Sequence, residues 1–121
     1  MLNHALFAIM EEAGTAVMIL SENVELPEFL ASRLTRAEVQ RQLRIMASAM
    51  GSVPAATRLQ LPELEWDGWD RLGGALQGAT ADAKTDLNDA VWFAVRSLTP
   101  ATLIWLQIYR KNQPELFTLT I

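Results

Sequence analysis

Thr35-Arg36-Ala37-Glu38-Val39-Gln40-Arg41-Gln42-Leu43-Arg44-Ile45-Met46-Ala47-Ser48-Ala49-Met50-Gly51 carries every signal of a helix within its own residues. Thr35 and Glu38 stand at the spacing of a capping box, in which the hydroxyl accepts from the Glu38 amide and the carboxylate reaches back. Behind them Val39, Leu43, Met46, Ala47 and Met50 recur at helical period, opposite Arg36, Gln40, Arg41 and Arg44. Gly51 closes the run, which predicts a helix over about 36–50. Upstream, Leu2, Leu6, Ile9, Met10, Ala13, Val17 and Leu20 repeat the same period, with Glu11, Glu12 and Thr15 largely on the other side. Gly14 falls inside this first helix at a cost of about 1 kcal/mol against Ala, so either two backbones approach closely there or the site is merely tolerated. Between the two helices, Pro27 suits the first turn of a short connector helix over 28–31.

Downstream, Pro54 and Pro62 hold residues 52–67 out of one continuous helix, leaving room for a turn or two over 55–61. Asp67 or Gly68 caps a helix from Trp69, weak by propensity because Gly73, Gly74 and Gly78 fall in it. Thr85 or Asp86 caps the next, over about 86–98, with Leu87, Val91, Val95 and Leu98 inward and Trp92 beside them. Thr99-Pro100 reads as an N-cap with proline at the first helical position, starting a last helix that runs to about Lys111. Leu103, Ile104, Trp105, Leu106 and Ile108 leave it apolar nearly all round, and its length is too short to cross a bilayer. It is expected to be buried in the domain or in a subunit interface, with Leu103, Trp105 and Leu106 as interface candidates. The tail over 115–121 alternates Leu116, Thr118 and Thr120 against Phe117, Leu119 and Ile121, the pattern of a strand. The expectation is an all-α fold: a four- to five-helix up-and-down antiparallel bundle over 1–112, with a tail over 113–121.

The 121 residues carry 10 Lys plus Arg against 14 Asp plus Glu, a net charge of −4, with one His and no Cys. A mildly acidic chain without a basic cluster is not expected to bind nucleic acid strongly. Without cysteine there is no disulfide, thiolate nucleophile or Cys-based zinc site, and the single His4 excludes any two-histidine arrangement. Glu11 and Glu12 interrupt the apolar start, so neither a signal peptide nor a membrane span is expected and the cytoplasm is the default location.

Gly73-Gly74-Ala75-Leu76-Gln77-Gly78 invites a phosphate-loop reading, but it lacks the G-x-x-x-x-G-K-[ST] pattern and a preceding strand, and the first lysine after it is Lys84. Glu63, Glu65, Asp67 and Asp70 gather at a loop-to-helix junction, where carboxylates either bind a divalent ion or, more commonly, complement a helix N-terminus. His4 has no Ser/Asp partner pattern and lies at a terminus expected to be mobile. Trp66, Trp69, Trp92 and Trp105 are core candidates whose indole N–H groups need acceptors. Arg36, Arg41 and Arg44 are spaced along a solvated face.

The order of these segments resembles the HepT-like branch of the HEPN superfamily over roughly residues 5–105. Pro62-Glu63-Leu64-Glu65-Trp66 is similar to the family's Pro-x-Ile-x-Trp entry into its active-site helix, and Leu43-Arg44-Ile45-Met46-Ala47-Ser48-Ala49 to its L-x-I-I-G-E-A stretch. Asp86-Leu87, Val91-Trp92 and Leu98-Thr99-Pro100 resemble its D-L-x-x-V-W and L-P ending. The resemblance implies a small all-helical homodimer with a cleft between its subunits, and a place beside minimal nucleotidyltransferases. Active members are metal-independent ribonuclease toxins that use an R-N-x-x-x-H-x-Y motif. Spacing from Trp66 puts Gly73, Gly74, Gly78 and Thr80 at the arginine, asparagine, histidine and tyrosine of that motif. A shift of alignment brings Arg71 to the arginine's place, but nothing supplies the histidine, and Ser48 replaces the family's glutamate. The resemblance therefore implies a non-enzymatic binding or regulatory module without cofactor or metal. The alternative is a small-ligand or nucleotide binder, or an enzyme, reusing the cleft through Trp66, Trp69, Arg71 and Gln77 with the acidic residues at 63–70.

Overall fold

The computed structural model describes residues 2–78 and 84–117, and every regular element among them is helical. Seven α-helices follow in order: α1 (Leu2–Ser21), α2 (Leu26–Ala31), α3 (Arg33–Gly51), α4 (Ala55–Gln60), α5 (Trp66–Gly78), α6 (Lys84–Phe93) and α7 (Thr99–Asn112). The expected all-α class holds. α1 packs along α3 and α7, and α3 packs along α5.

Helix starts depart from the capping expectations in instructive ways. α3 begins two residues before Thr35, because Ser32 is its N-cap: the Ser32 hydroxyl accepts from the Thr35 N–H at 3.3 Å and donates to Thr35 Oγ1 at 2.8 Å. Glu38 is thereby released from the cap and pairs with Arg41 Nη2 at 2.7 Å. α5 starts at Trp66, not Trp69, since the Trp69 N–H donates to the Glu65 carbonyl at 3.0 Å. Asp67 then lies inside the first turn, where its charge complements the helix dipole. The described part of α6 opens at Lys84, so Thr85 and Asp86 are helical residues and not caps. α1 ends where Asn23 adopts φ 59°, a left-handed conformation that Asn tolerates better than most residues.

Thr99 is not an N-cap either. α6 and α7 run into one another through a π-helical segment, Ala94–Leu98, and the Thr99 N–H donates to the Ala94 carbonyl five residues back. Pro100 lacks an N–H, and its ring crowds the carbonyl four residues before it; the wider π turn accommodates both within a continuing helix. The continuity changes the hydropathy arithmetic. Leu87–Asn112 and Asn3–Ser21 are long and apolar enough to cross a membrane by length and composition, and 39% of each window is buried inside the chain.

The core is drawn from every long helix: Phe7, Met10 and Val17 of α1, Val39, Leu43, Met46 and Met50 of α3, Trp69 of α5, and Leu106 of α7 are each wholly buried. Phe7 takes an inward place that the periodicity assigned to Ile9, which is 41% exposed. Phe7 stacks on Phe117 at 4.7 Å, which ties the turn after α7 to α1. Pro114–Leu116 forms a 3-10 turn where a strand was expected, and Thr118, Leu119, Thr120 and Ile121 lie outside the described residues.

Candidate functional site

α3 and α5 lie close because α5 presents Gly73 to α3: a Cβ at Gly73 would stand 3.3 Å from that of Ala47. Gly74 faces open space, with nothing within 4 Å of an added Cβ. Beside this contact Arg44, Ala47 and Ser48 of α3 and Gly73 and Gln77 of α5 line a groove of about 220 Å³. The structure thus brings Ser48 and Gly73, far apart in sequence, to one place. Thr80 lies outside the described residues, and α5 ends at Gly78.

Of the residues expected around a cleft, Gln77 alone lines this groove. Trp69 is wholly buried, and its indole N–H donates to Thr102 Oγ1 at 3.0 Å, so both its ring and its polar atom are consumed by the core. Trp66 is half-buried and donates to the Leu61 carbonyl at 3.0 Å. Arg71 is exposed on α5 away from the groove lining.

The acidic residues at 63–70 diverge. Asp70 pairs with Arg58 at 3.2 Å. Glu63 is joined to Tyr109 in both directions: its N–H donates to the phenol oxygen at 3.1 Å, and the phenol O–H donates to its carboxylate. Burial, reinforced by that carboxylate, pushes the Tyr109 phenol far above its ordinary range and keeps it a donor. Glu65 and Asp67 point to solvent. No group of three or more His, Asp or Glu among the described residues is placed to hold a metal ion.

Arg58 was not singled out by the sequence, yet it joins four segments. Its guanidinium donates to the Val53 and Met50 carbonyls at 3.3 and 3.1 Å, pairs with Asp70, and lies 4.9 Å from the Trp66 ring centre. The missing signal is one of distance along the chain: nothing near Arg58 names Asp70 or Trp66 as its partners. The arginines of α3 also part company. Arg36 donates to the Leu30 carbonyl, while Arg41 holds Glu38, whose carboxyl is lowered to about 2 by hydrogen bonds from Arg41 and then Gln42. Arg44 alone turns to the groove.

His4 is half-buried in a first turn that is anchored, since Asn3 Nδ2 donates to Thr57 Oγ1 at 3.2 Å. Among the interface candidates, Leu106 belongs to the chain's own core and Leu103 seats against Gly14, whose added Cβ would meet Leu103 Cδ2 at 2.8 Å. Trp105 is half-buried, 5.7 Å from Tyr109 between ring centres. The apolar residues that α7 does expose are Ile104 and Ile108, at 57% and 36%. No protein-family model, curated protein or solved structure matches this chain.

Proposed function

We propose that the chain is a HepT-like helical module without ribonuclease chemistry, acting in the cytoplasm by binding: it pairs with a second copy and engages a partner of the minimal nucleotidyltransferase type. The supporting observation is the meeting of Ser48 and Gly73 in one groove. By the resemblance these positions take the places of the family's glutamate and arginine, and the α3–α5 seam brings the two together. Among the described residues the lining, Arg44, Ala47, Ser48, Gly73 and Gln77, includes no imidazole or carboxylate to move a proton near neutral pH. Arg44 can hold an oxyanion, but a guanidinium stays protonated and does not serve as a base. The same reading takes the helices as an up-and-down antiparallel bundle, with α1 beside α3 and α7 and α3 beside α5.

Incubation of the purified protein with RNA in the presence of a chelator is expected to leave the RNA intact. Cleavage that co-elutes with the protein and survives His4→Ala would overturn the loss of chemistry. Capture of the chain from its native lysate is expected to recover a nucleotidyltransferase-type protein in stoichiometric amount; recovery of the chain alone would remove that partner from the reading.

A further inference from the structure

Most described arginines are engaged within the protein. Arg41, Arg58 and Arg110 form ion pairs, and Arg36 and Arg96 donate to main-chain carbonyls. Arg44 has no such partner among the described residues, and it sits in the α3–α5 groove beside the Ser48 hydroxyl and the Gln77 amide, whose side chains likewise make no hydrogen bond among the described residues. Three donors of different geometry therefore share one partly enclosed space. Among the described residues no carboxylate lines it, in a chain whose net charge is −4.

A guanidinium makes two parallel N–H···O bonds to a carboxylate or phosphate, and these charge-assisted bonds are about twice as strong as neutral ones. A hydroxyl and a carboxamide N–H beside it can donate to the remaining lone pairs of the same anion. Gly73 contributes main chain and no side chain to the groove, and the nearby Ala47 contact leaves little room for any replacement. At about 220 Å³ the groove is smaller than the roughly 300–1,000 Å³ usual for a whole drug-sized ligand, which suits a charged end group.

We propose that the α3–α5 groove binds the oxyanion end of a small molecule, a phosphate or a carboxylate, with Arg44 as its main anchor and Ser48 and Gln77 as supporting donors. The site does not depend on the partner reading above. It goes beyond the loss of ribonuclease chemistry, because binding an anion needs no proton transfer.

The test titrates the full-length chain separately with inorganic phosphate and with acetate, at ionic strength held constant with chloride, following the Gln77 side-chain amide and the Arg44 Nε–H by NMR. Saturable shifts of these two signals are expected with at least one of the anions, and which anion saturates identifies the end group. Arg44→Gln is expected to weaken binding about tenfold or more, the loss typical of a hydrogen bond to a charged group. Arg71→Gln, on α5 with Gln77 but outside the groove lining, is expected to bind as the parent does. Shifts that never saturate with either anion would overturn the proposal. Equal loss in the two arginine variants would also overturn it, since that is the signature of diffuse charge.

Discussion

An added Cβ at Gly14 would stand 2.8 Å from Leu103 Cδ2 and 3.2 Å from Met46 Cε, whereas one at Gly74 would meet nothing within 4 Å. Both glycines are helical, and both weaken their helices by about 1 kcal/mol relative to alanine. At Gly74 nothing opposes that gain, so Gly74→Ala is expected to stabilise the protein by about 0.5–1 kcal/mol. At Gly14 overpacking costs about 1–3 kcal/mol; a cost in the middle of that range, about 2 kcal/mol, exceeds the propensity gain, and Gly14→Ala is expected to lose about 1 kcal/mol net. Urea midpoints of the two variants should move in opposite directions. Movement in the same direction would mean that packing at Gly14 is not the deciding term. The sequence left two readings of Gly14 open, and the resolution is a side chain from a helix that begins 85 residues later, at Thr99.

At the scale of elements, the continuous helix through Pro100 places two threonines in the core with different fates. Thr102 donates to the Leu98 carbonyl at 2.8 Å and accepts from Trp69, while buried Thr99 Oγ1 has no hydrogen-bond partner among the described residues. Removing an unsatisfied buried hydroxyl relieves its desolvation, so Thr99→Val is expected to stabilise by about 1 kcal/mol. Thr102→Val leaves the Trp69 indole N–H buried without an acceptor, and is expected to cost about 1–3 kcal/mol. Thermal unfolding of the pair is the check; a loss at Thr99→Val equal to that at Thr102→Val would show that Thr99 has an acceptor after all. The Thr-Pro pair reads locally as a helix start, since Thr caps well and Pro fits a first turn. Burial of Val95, Leu98 and Leu106 on one side of a single helix outweighs that preference, and the π turn absorbs the proline.

For the whole molecule, the question is which apolar surface remains after the core is built. Leu106 is spent inside the chain, and replacing such a residue would cost about 2–5 kcal/mol and confound any test of association. Ile104 and Ile108 are the exposed apolar residues of α7, one helical turn apart on one face. The double variant Ile104→Asp with Ile108→Asp is expected to be monomeric by light scattering and unchanged in helical content. An unaltered mass would exclude this face as the contact between copies. Trp105 is half-buried against Tyr109, so its truncation would remove packing inside the chain and is no clean test of pairing.

Local chemistry was legible from the residues in order. Apolar spacing marked the long helices, Pro54 and Pro62 marked the breaks, and the shortage of histidine, cysteine and clustered base narrowed the function, because each of these depends only on residues within a turn or two or on composition. Helix starts were misplaced where two hydroxyls compete three residues apart, as Ser32 and Thr35 do, since either can satisfy the first amides until packing selects one. Tertiary structure alone decided which groups distant in sequence meet: Tyr109 with Glu63 across 46 residues and Trp69 with Thr102 across 33 as hydrogen-bonded pairs, and Arg44 and Gln77 as two linings of one groove at the α3–α5 seam. Those pairings follow from which helix faces bury together, a property of the assembled core that no short window of sequence contains.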